Sequence, residues 1–177
     1  MRYRAEYQSG LGEILLAADE AGLTGLWFAG AKYYASGLDP EHEKRELPVF
    51  GEARRWLDIY FSGKEPDFTP PLHMTGSAFQ LGVWKLLQQI PYGETVTYGE
   101  LARMAAKERG LGSMSAQAIG GAVGHNRISV IVPCHRVVGS DGSLTGYAGG
   151  VEKKKRLLAL EGADMGRLFL PVKGTAL

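Results

Sequence analysis

The sequence contains a single cysteine, Cys134, in 177 residues. One thiol excludes an internal disulfide and any metal site built from several thiolates, and it is typical of a protein kept in a reducing compartment. The chain also lacks a run of about 18 consecutive apolar residues, which a membrane-spanning helix requires. Its first twenty residues contain no apolar stretch of the kind found in signal peptides. We therefore expect a cytoplasmic protein without a membrane segment.

A strong net charge is also lacking, because 20 basic and 19 acidic side chains leave a formal net charge of +1. The distribution is uneven: residues 1–71 carry 12 acidic and 8 basic side chains, whereas residues 72–177 carry 7 acidic and 12 basic ones. A basic second half is compatible with a polyanionic partner, although charge of this density is also usual for a solvated surface. Composition alone leaves the partner open.

The first part of the chain predicts an α/β domain. The segment "GEILLAADEAGLTGLWFAG" has two apolar runs around a turn that contains Gly22, which predicts a β-hairpin. Apolar residues recur at helical spacing from Val49 to Phe61, which predicts a helix. The proline-rich stretch "SGKEPDFTPPLHMTG" follows and predicts a linker. We place a domain boundary there, with one domain over residues 1–73 and the other over residues 74–177.

The second part of the chain predicts mostly helices. Ser77 with Gln80 and Thr97 with Glu100 are capping-box patterns that open two helices, and a serine in "GSMS" caps a third that runs to about residue 124. The run "ISVIV" predicts a buried strand, and "VVGSDGSLTGY" predicts a strand, a turn and a second strand. A last helix is expected over residues 152–161. Consecutive helices followed by strand-turn-strand indicate a winged helix-turn-helix, although any small helical domain contains consecutive helices.

Cys134 has two interpretations. Following an apolar run, it is compatible with a small packed hydrophobic residue. Three features favour a nucleophile instead: Pro133 ends the run, the polar residues His135 and Arg136 follow, and several glycines come next that would let the backbone approach a planar ligand. A histidine activates such a thiol directly or through a water, provided that a carboxylate orients its ring, and Glu161 is the candidate. Spacing cannot establish that contact, and a surface position for Glu161 is the alternative.

The stretch "IVPCHRVVGSDGSLTGYAGG", with "FQLGVWKLLQQIPYGETVTYGELA" upstream, resembles the O6-alkylguanine-DNA alkyltransferases from about Phe79 to Glu161. The resemblance implies a ribonuclease-H-like α/β domain followed by a mostly α-helical winged helix-turn-helix domain. It also implies a DNA repair protein that is consumed when it takes the alkyl group from O6-alkylguanine, or from O4-alkylthymine, in double-stranded DNA. No cofactor is implied, and we expect no metal and a monomer.

The resemblance also implies residue roles. Cys134 is the nucleophile, His135 the base acting through a water, and Glu161 the group that orients the histidine. Tyr98 donates its hydroxyl proton to guanine N3, and Asn126 braces the turn that leads to the thiol. The substrate pocket contains the carbonyls of Cys134 and Val137, the ring of Tyr147, the Ala148 amide and the adjacent Gly149.

The implied DNA contact is the third helix, "SAQAIGGAVG", which would enter the minor groove while the damaged base is flipped out of the duplex. The implied contacts come from Ala116, Gln117, Gly120, Arg127 and Arg136. Tight packing on a neighbouring helix is the alternative explanation for the small residues of this helix. Gln117 departs from the arginine that many family members have, and Arg127 stands where a proline is common.

The sequence also allows other functional interpretations. A lesion-binding module that flips alkylated bases without reacting would lack the cysteine. A winged-helix regulator is disfavoured because no further DNA-binding motif or second cysteine is present. A thiol hydrolase would turn over repeatedly. The basic run at 152–156 could contact phosphate or form a solvated helix face.

Overall fold

The computed structural model describes residues 1–171. They form two compact units. The first unit comprises Met1–Thr75 with Arg127–Ile131, and the second comprises Gly76–Asn126 with the described chain from Val132 onward. Five residues from the second half of the chain, directly before the Cys134 segment, therefore pack as part of the first unit.

The first unit is a four-stranded mixed sheet with one helix. Its elements are β1 (Arg2–Ser9), β2 (Gly12–Ala18), β3 (Leu23–Phe28), β4 (His42–Lys44) and α1 (Pro48–Phe61). The sheet order is β3-β2-β1-β4, in which β1, β2 and β3 are antiparallel neighbours and β4 runs parallel to β1. The buried face of α1 has apolar residues at helical spacing. The predicted hairpin and the predicted helix are both confirmed.

The turn between β2 and β3 follows from local chemistry. The Asp19 carboxylate accepts hydrogen bonds from the backbone N–H groups of Ala21 and Gly22. Gly22 has a φ of +156°, and a Cβ there would lie 2.6 Å from the Pro71 carbonyl oxygen. The proline-rich segment runs beside β3, since Leu23 N–H donates to that carbonyl at 2.8 Å. Glycine is therefore required by close backbone approach at this position.

The second unit is helical. Its elements are α2 (Ala78–Leu87), β5 (Val96–Thr97), α3 (Tyr98–Glu108), α4 (Ala116–Gly124), β6 (Val137–Val138) and α5 (Val151–Leu160). Ser77 and Gln80 form the complete predicted capping box, and the Thr97 hydroxyl accepts from the Glu100 N–H. Ser115 is the N-cap of α4. No helix within residues 1–171 is both long enough and apolar enough to cross a membrane.

The predicted strand "ISVIV" is wrong. Ile128 forms one isolated bridge with Leu26, and the chain then turns, with Val130 in the left-handed region at a φ of +69°. A valine there breaks any extended run. After Pro133 the chain enters a 3-10 turn, Cys134–Arg136.

The predicted strand-turn-strand also differs from the structure. β6 has only two residues and pairs in parallel with β5 instead of with the segment after the turn. Beyond the turn, Ser143 makes a single bridge with Phe169. The turn itself forms, because Gly142 N–H donates to the Gly139 carbonyl at 2.9 Å.

Candidate active site around Cys134

Cys134 is the first residue of the 3-10 turn and is buried, with 6% of its surface exposed. Its N–H donates to the Val132 carbonyl at 2.8 Å, which fixes the backbone after Pro133. Burial raises the pKa of the Cys134 thiol, while a hydrogen bond from the Asn126 side chain and the charge of Lys154 act to lower it. The thiol therefore ionises at neutral pH only if neighbouring groups accept its proton or stabilise the thiolate.

A buried carboxylate joins the two residues that follow the cysteine. Glu161 Oε2 lies 2.6 Å from His135 Nε2, and neither side chain is exposed. Arg136 donates from Nε to Glu161 Oε1 at 2.8 Å and from Nη2 to Oε2 at 3.1 Å, while its Nη1 donates to the Ile90 carbonyl at 2.6 Å. The Gly93 N–H adds a further bond to Oε1 at 3.2 Å. The structure thus brings His135 and Glu161 together, and Glu161 is not a surface residue.

The protonation states of this pair follow from their surroundings. Burial alone would raise the pKa of Glu161, but the hydrogen bonds and charges of His135 and Arg136 lower it to about 2. Burial lowers the pKa of His135 below its usual value, against the effect of Glu161. A neutral imidazole beside a carboxylate donates its Nε2 proton, so the lone pair lies on Nδ1.

Asn126 and Tyr98 approach the cysteine from two other elements. Asn126 follows α4, is buried, and donates from Nδ2 to the Val132 carbonyl at 2.8 Å. It therefore ties the end of α4 to the residue two before the thiol. Tyr98 is the first residue of α3, and its hydroxyl donates to the Thr145 carbonyl at 3.0 Å. Burial, followed by the proximity of Cys134, raises the pKa of Tyr98 to about 12, so its hydroxyl is a proton donor at neutral pH.

The residues that the resemblance assigns to the substrate pocket follow this turn in the chain. Val137 is fully buried directly after the 3-10 turn. Tyr147 is 7% exposed, and its ring lies perpendicular to His135 with centroids 6.4 Å apart. Ala148 and Gly149 are half-buried in the segment before α5. The ring of Tyr147 therefore borders the histidine next to the cysteine.

The glycines of α4 are not explained by packing. Added Cβ atoms at Gly120, Gly121 and Gly124 would meet no atom within 4 Å. Ala116 and Gln117 are exposed at the start of the helix. The opposite face is buried, and the Trp84 indole N–H donates to the Ala122 carbonyl at 2.9 Å. The interpretation of tight packing on a neighbouring helix is therefore wrong for these glycines.

Of the two arginines expected at DNA, Arg136 is buried, which argues against a DNA contact, whereas half-buried Arg127 stays a prediction although its Nη1 is bonded within the protein. Arg136 is 8% exposed, and its guanidinium is used by Glu161 and the Ile90 carbonyl. Arg127 belongs to the first unit, where its Nη1 donates to the Thr75 carbonyl at 3.0 Å and to the Thr75 hydroxyl at 3.1 Å. Sequence position could not show either contact, since both partners are distant in the chain.

Lys154 is a further residue of the site that was not predicted from the sequence. Within the basic run at 152–156 it is fully buried, and its Nζ donates to the Thr145 carbonyl at 2.6 Å. Helical periodicity contained the signal: Lys154 stands three and four residues before the buried Leu157 and Leu158, and seven before Glu161. It therefore shares a face with the buried residues of α5.

Comparisons with known proteins agree with this arrangement. Residues 2–74 match the ribonuclease-like domain of 6-O-methylguanine DNA methyltransferase, and residues 78–163 match its DNA binding domain. The methylated-DNA–protein-cysteine methyltransferase of Methanosarcina acetivorans is 44% identical over 161 residues, covering 91% of this chain and 99% of that protein. The enzyme of the same name from Haemophilus influenzae is 41% identical over 161 residues, covering 90% and 86%.

A solved structure supports the same conclusion. The crystal structure of Mycobacterium tuberculosis OGT in complex with DNA has a TM-score of 0.78 and 39% identity, covering 90% of this chain and 92% of that one. The expected fold class is confirmed as a ribonuclease-like α/β domain with a mixed sheet followed by a helical DNA-binding domain. On these identities and coverages, the chain belongs to the 6-O-methylguanine DNA methyltransferase family.

Proposed function

We propose that this chain repairs O6-alkylguanine in DNA by transferring the alkyl group to its own Cys134, once per molecule. The chain is a methylated-DNA–protein-cysteine methyltransferase, and methyl is the simplest group transferred. The observation that carries the residue assignment is the buried His135–Glu161 contact of 2.6 Å directly after the chain's single cysteine. This pair is the arrangement that an activated nucleophile requires.

His135 activates the thiol. Glu161 holds Nε2, so Nδ1 is the nitrogen that takes the thiol proton through a water. The carboxylate then stabilises the imidazolium that forms. Asn126 supports the thiolate through its side-chain hydrogen bond and fixes the turn through the Val132 carbonyl.

The transfer is a displacement at the alkyl carbon. The thiolate sulfur forms a bond to that carbon as the bond from carbon to guanine O6 breaks, and the electron pair passes to the base. Tyr98 donates its hydroxyl proton to guanine N3 as negative charge develops. The product is a thioether, which does not exchange as a disulfide does, and the chain has no second cysteine to attack it. The protein is therefore consumed.

The proposed substrate pocket uses backbone groups of the cysteine and of the residues that follow it. The carbonyls of Cys134 and Val137 accept from the exocyclic amine of guanine, and the Ala148 amide donates to O6. Tyr147 flanks the base, and Gly149 allows the backbone to approach its plane. Support comes from the buried position of Val137 and from the placement of the Tyr147 ring against His135.

A base inside a duplex cannot reach a buried thiol, so the guanine is flipped out at a cost of a few kcal/mol. We assign α4 to the minor groove, with Ala116, Gln117 and Gly120 as contacts. The open space above Gly120 and Gly121 supports this, because a bare backbone fits a narrow groove. The protein acts as a monomer, with a domain boundary near residue 74.

Lesion stoichiometry tests the proposed function. The full chain is mixed with increasing amounts of a duplex that holds one O6-methylguanine, and the lesions remaining are counted. The lesions lost should rise with DNA and then stop at one per protein molecule. Cys134→Ser should bind the same duplex and remove none. Continued loss beyond one equivalent would indicate a hydrolase, and loss by the serine variant would exclude Cys134 as acceptor.

A further inference from the structure

The proposed reaction gives no role to Lys154, although this residue lies in the site. We propose that Lys154 is a positioning residue whose ammonium group is the counter-charge of the Cys134 thiolate. The proposal rests on the role of Cys134 as nucleophile. Its basis is a fully buried ammonium on α5, the helix that packs against the turn Cys134–Arg136 with its buried thiol.

The charges in the site leave Lys154 uncompensated unless the thiol ionises. Arg136 and Glu161 neutralise each other through two hydrogen bonds, and His135 is the neutral partner of the same carboxylate. Among residues 1–171, no carboxylate lies within ion-pair distance of the Lys154 ammonium. A buried charge without a partner is strongly unfavourable. The Cys134 thiolate is the anion that can balance it.

The groups that face Lys154 come from three elements. Its Nζ lies 5.7 Å from the centre of the Tyr98 ring, at the start of α3, and donates to the Thr145 carbonyl in the segment before α5. The positive charge of Lys154 acts to lower the pKa of both Cys134 and His135, which lie on the 3-10 turn. Burial lowers the pKa of Lys154 to about 8, and the proximity of Cys134 opposes that decrease. The positive charge of Lys154 therefore favours the thiolate form of Cys134, and that thiolate favours the charged form of Lys154.

The shared carbonyl adds a second consequence. Thr145 O accepts from both Lys154 Nζ and the Tyr98 hydroxyl. When Tyr98 turns its single proton toward guanine N3, Lys154 still donates to that half-buried carbonyl, so the carbonyl keeps a hydrogen-bond partner. Lys154 therefore makes the release of the Tyr98 proton less costly.

The test measures the pH dependence of Cys134 alkylation by iodoacetamide, which needs no DNA and is independent of the proposed repair activity. Three variants separate charge from hydrogen bonding: Lys154→Met removes both, Lys154→Gln keeps a donor without charge, and Lys154→Arg keeps the charge. Lys155→Met, on the exposed neighbour in the same helix, is the matched control.

We expect Lys154→Met and Lys154→Gln to raise the apparent pKa for alkylation by about one unit, which slows the reaction about tenfold below that pKa. Lys154→Arg should move it less, and Lys155→Met should not move it. The methionine variant should unfold no more easily than the parent, because it removes a buried lone charge. If it does not fold, the glutamine and arginine variants give the comparison. If the pH dependence of alkylation in Lys154→Gln matches that of the parent, the proposal is overturned, since hydrogen bonding alone would then account for the role of Lys154.

Discussion

At the scale of single residues, the site depends on a carboxylate that stays ionised although it is buried. Glu161 is held by two bonds from Arg136, one from Gly93 and one from His135. Such a network is strongly destabilised when one partner is lost, because the remaining charges stay buried without compensation. The same bonds fix the imidazole ring, so one residue supports both stability and chemistry.

Replacing Glu161 should change how stability depends on pH. Its pKa in the folded protein is about 2, below the ordinary value of about 4.3. Its contribution is therefore fully present above about pH 4.3 and is lost as the pH falls toward 2. Glu161→Gln should lower the free energy of unfolding at pH 7 by about 3 kcal/mol and flatten the acid dependence. Urea unfolding from pH 2 to 7 measures both.

The matched control for that measurement is Glu152→Gln, on the exposed start of α5. It should leave the unfolding curve and its acid dependence close to those of the parent. Equal acid dependence in the parent and in Glu161→Gln would show that the buried network does not hold this carboxylate ionised.

At the scale of secondary-structure elements, α4 carries glycines that its packing does not require. Glycine inside a helix costs about 1 kcal/mol relative to alanine. Gly121 is exposed, and a Cβ there would meet no atom within 4 Å. The proposed contact with the minor groove accounts for an otherwise unfavourable residue.

Gly121→Ala should therefore stabilise the protein and weaken its binding to DNA. We expect the free energy of unfolding to rise by about 0.5–1 kcal/mol, because alanine loses less backbone entropy, and the affinity for duplex DNA to fall. Gly51→Ala is the matched control, since Gly51 is exposed in α1 with open space above it. Gly51→Ala should raise the free energy of unfolding to a similar extent without changing the affinity for DNA. Equal DNA affinity in both variants would remove α4 from the interface.

Elements specified by local signals could be predicted from the sequence. The helices α1 to α5 were predicted from capping residues and apolar periodicity, which act within a few residues. The segment at 128–132 was not, because its conformation depends on the left-handed Val130 and on a bridge to Leu26, about a hundred residues earlier. The burial of Lys154 could not be predicted with the same ease, because lysine side chains are almost never fully buried, although its position on α5 is on the buried face.

At the scale of the whole molecule, the proposed chemistry lies within one unit. Cys134, His135, Glu161, Tyr98 and Lys154 all belong to the second unit. The family resemblance in the sequence pointed to the first four, while the contacts among them required the fold. The division near residue 74 stays a prediction, and the structure adds that Arg127–Ile131 packs with the first unit.

The central claim is that Cys134 accepts and keeps the alkyl group. The most direct measurement is peptide mass spectrometry after the full chain has been incubated with a duplex that holds one O6-methylguanine. We expect a single addition of about 14 Da, one methyl group in place of one proton, on the peptide that contains Cys134. An unmodified Cys134 peptide alongside repaired DNA, or an addition on another residue, would contradict the account.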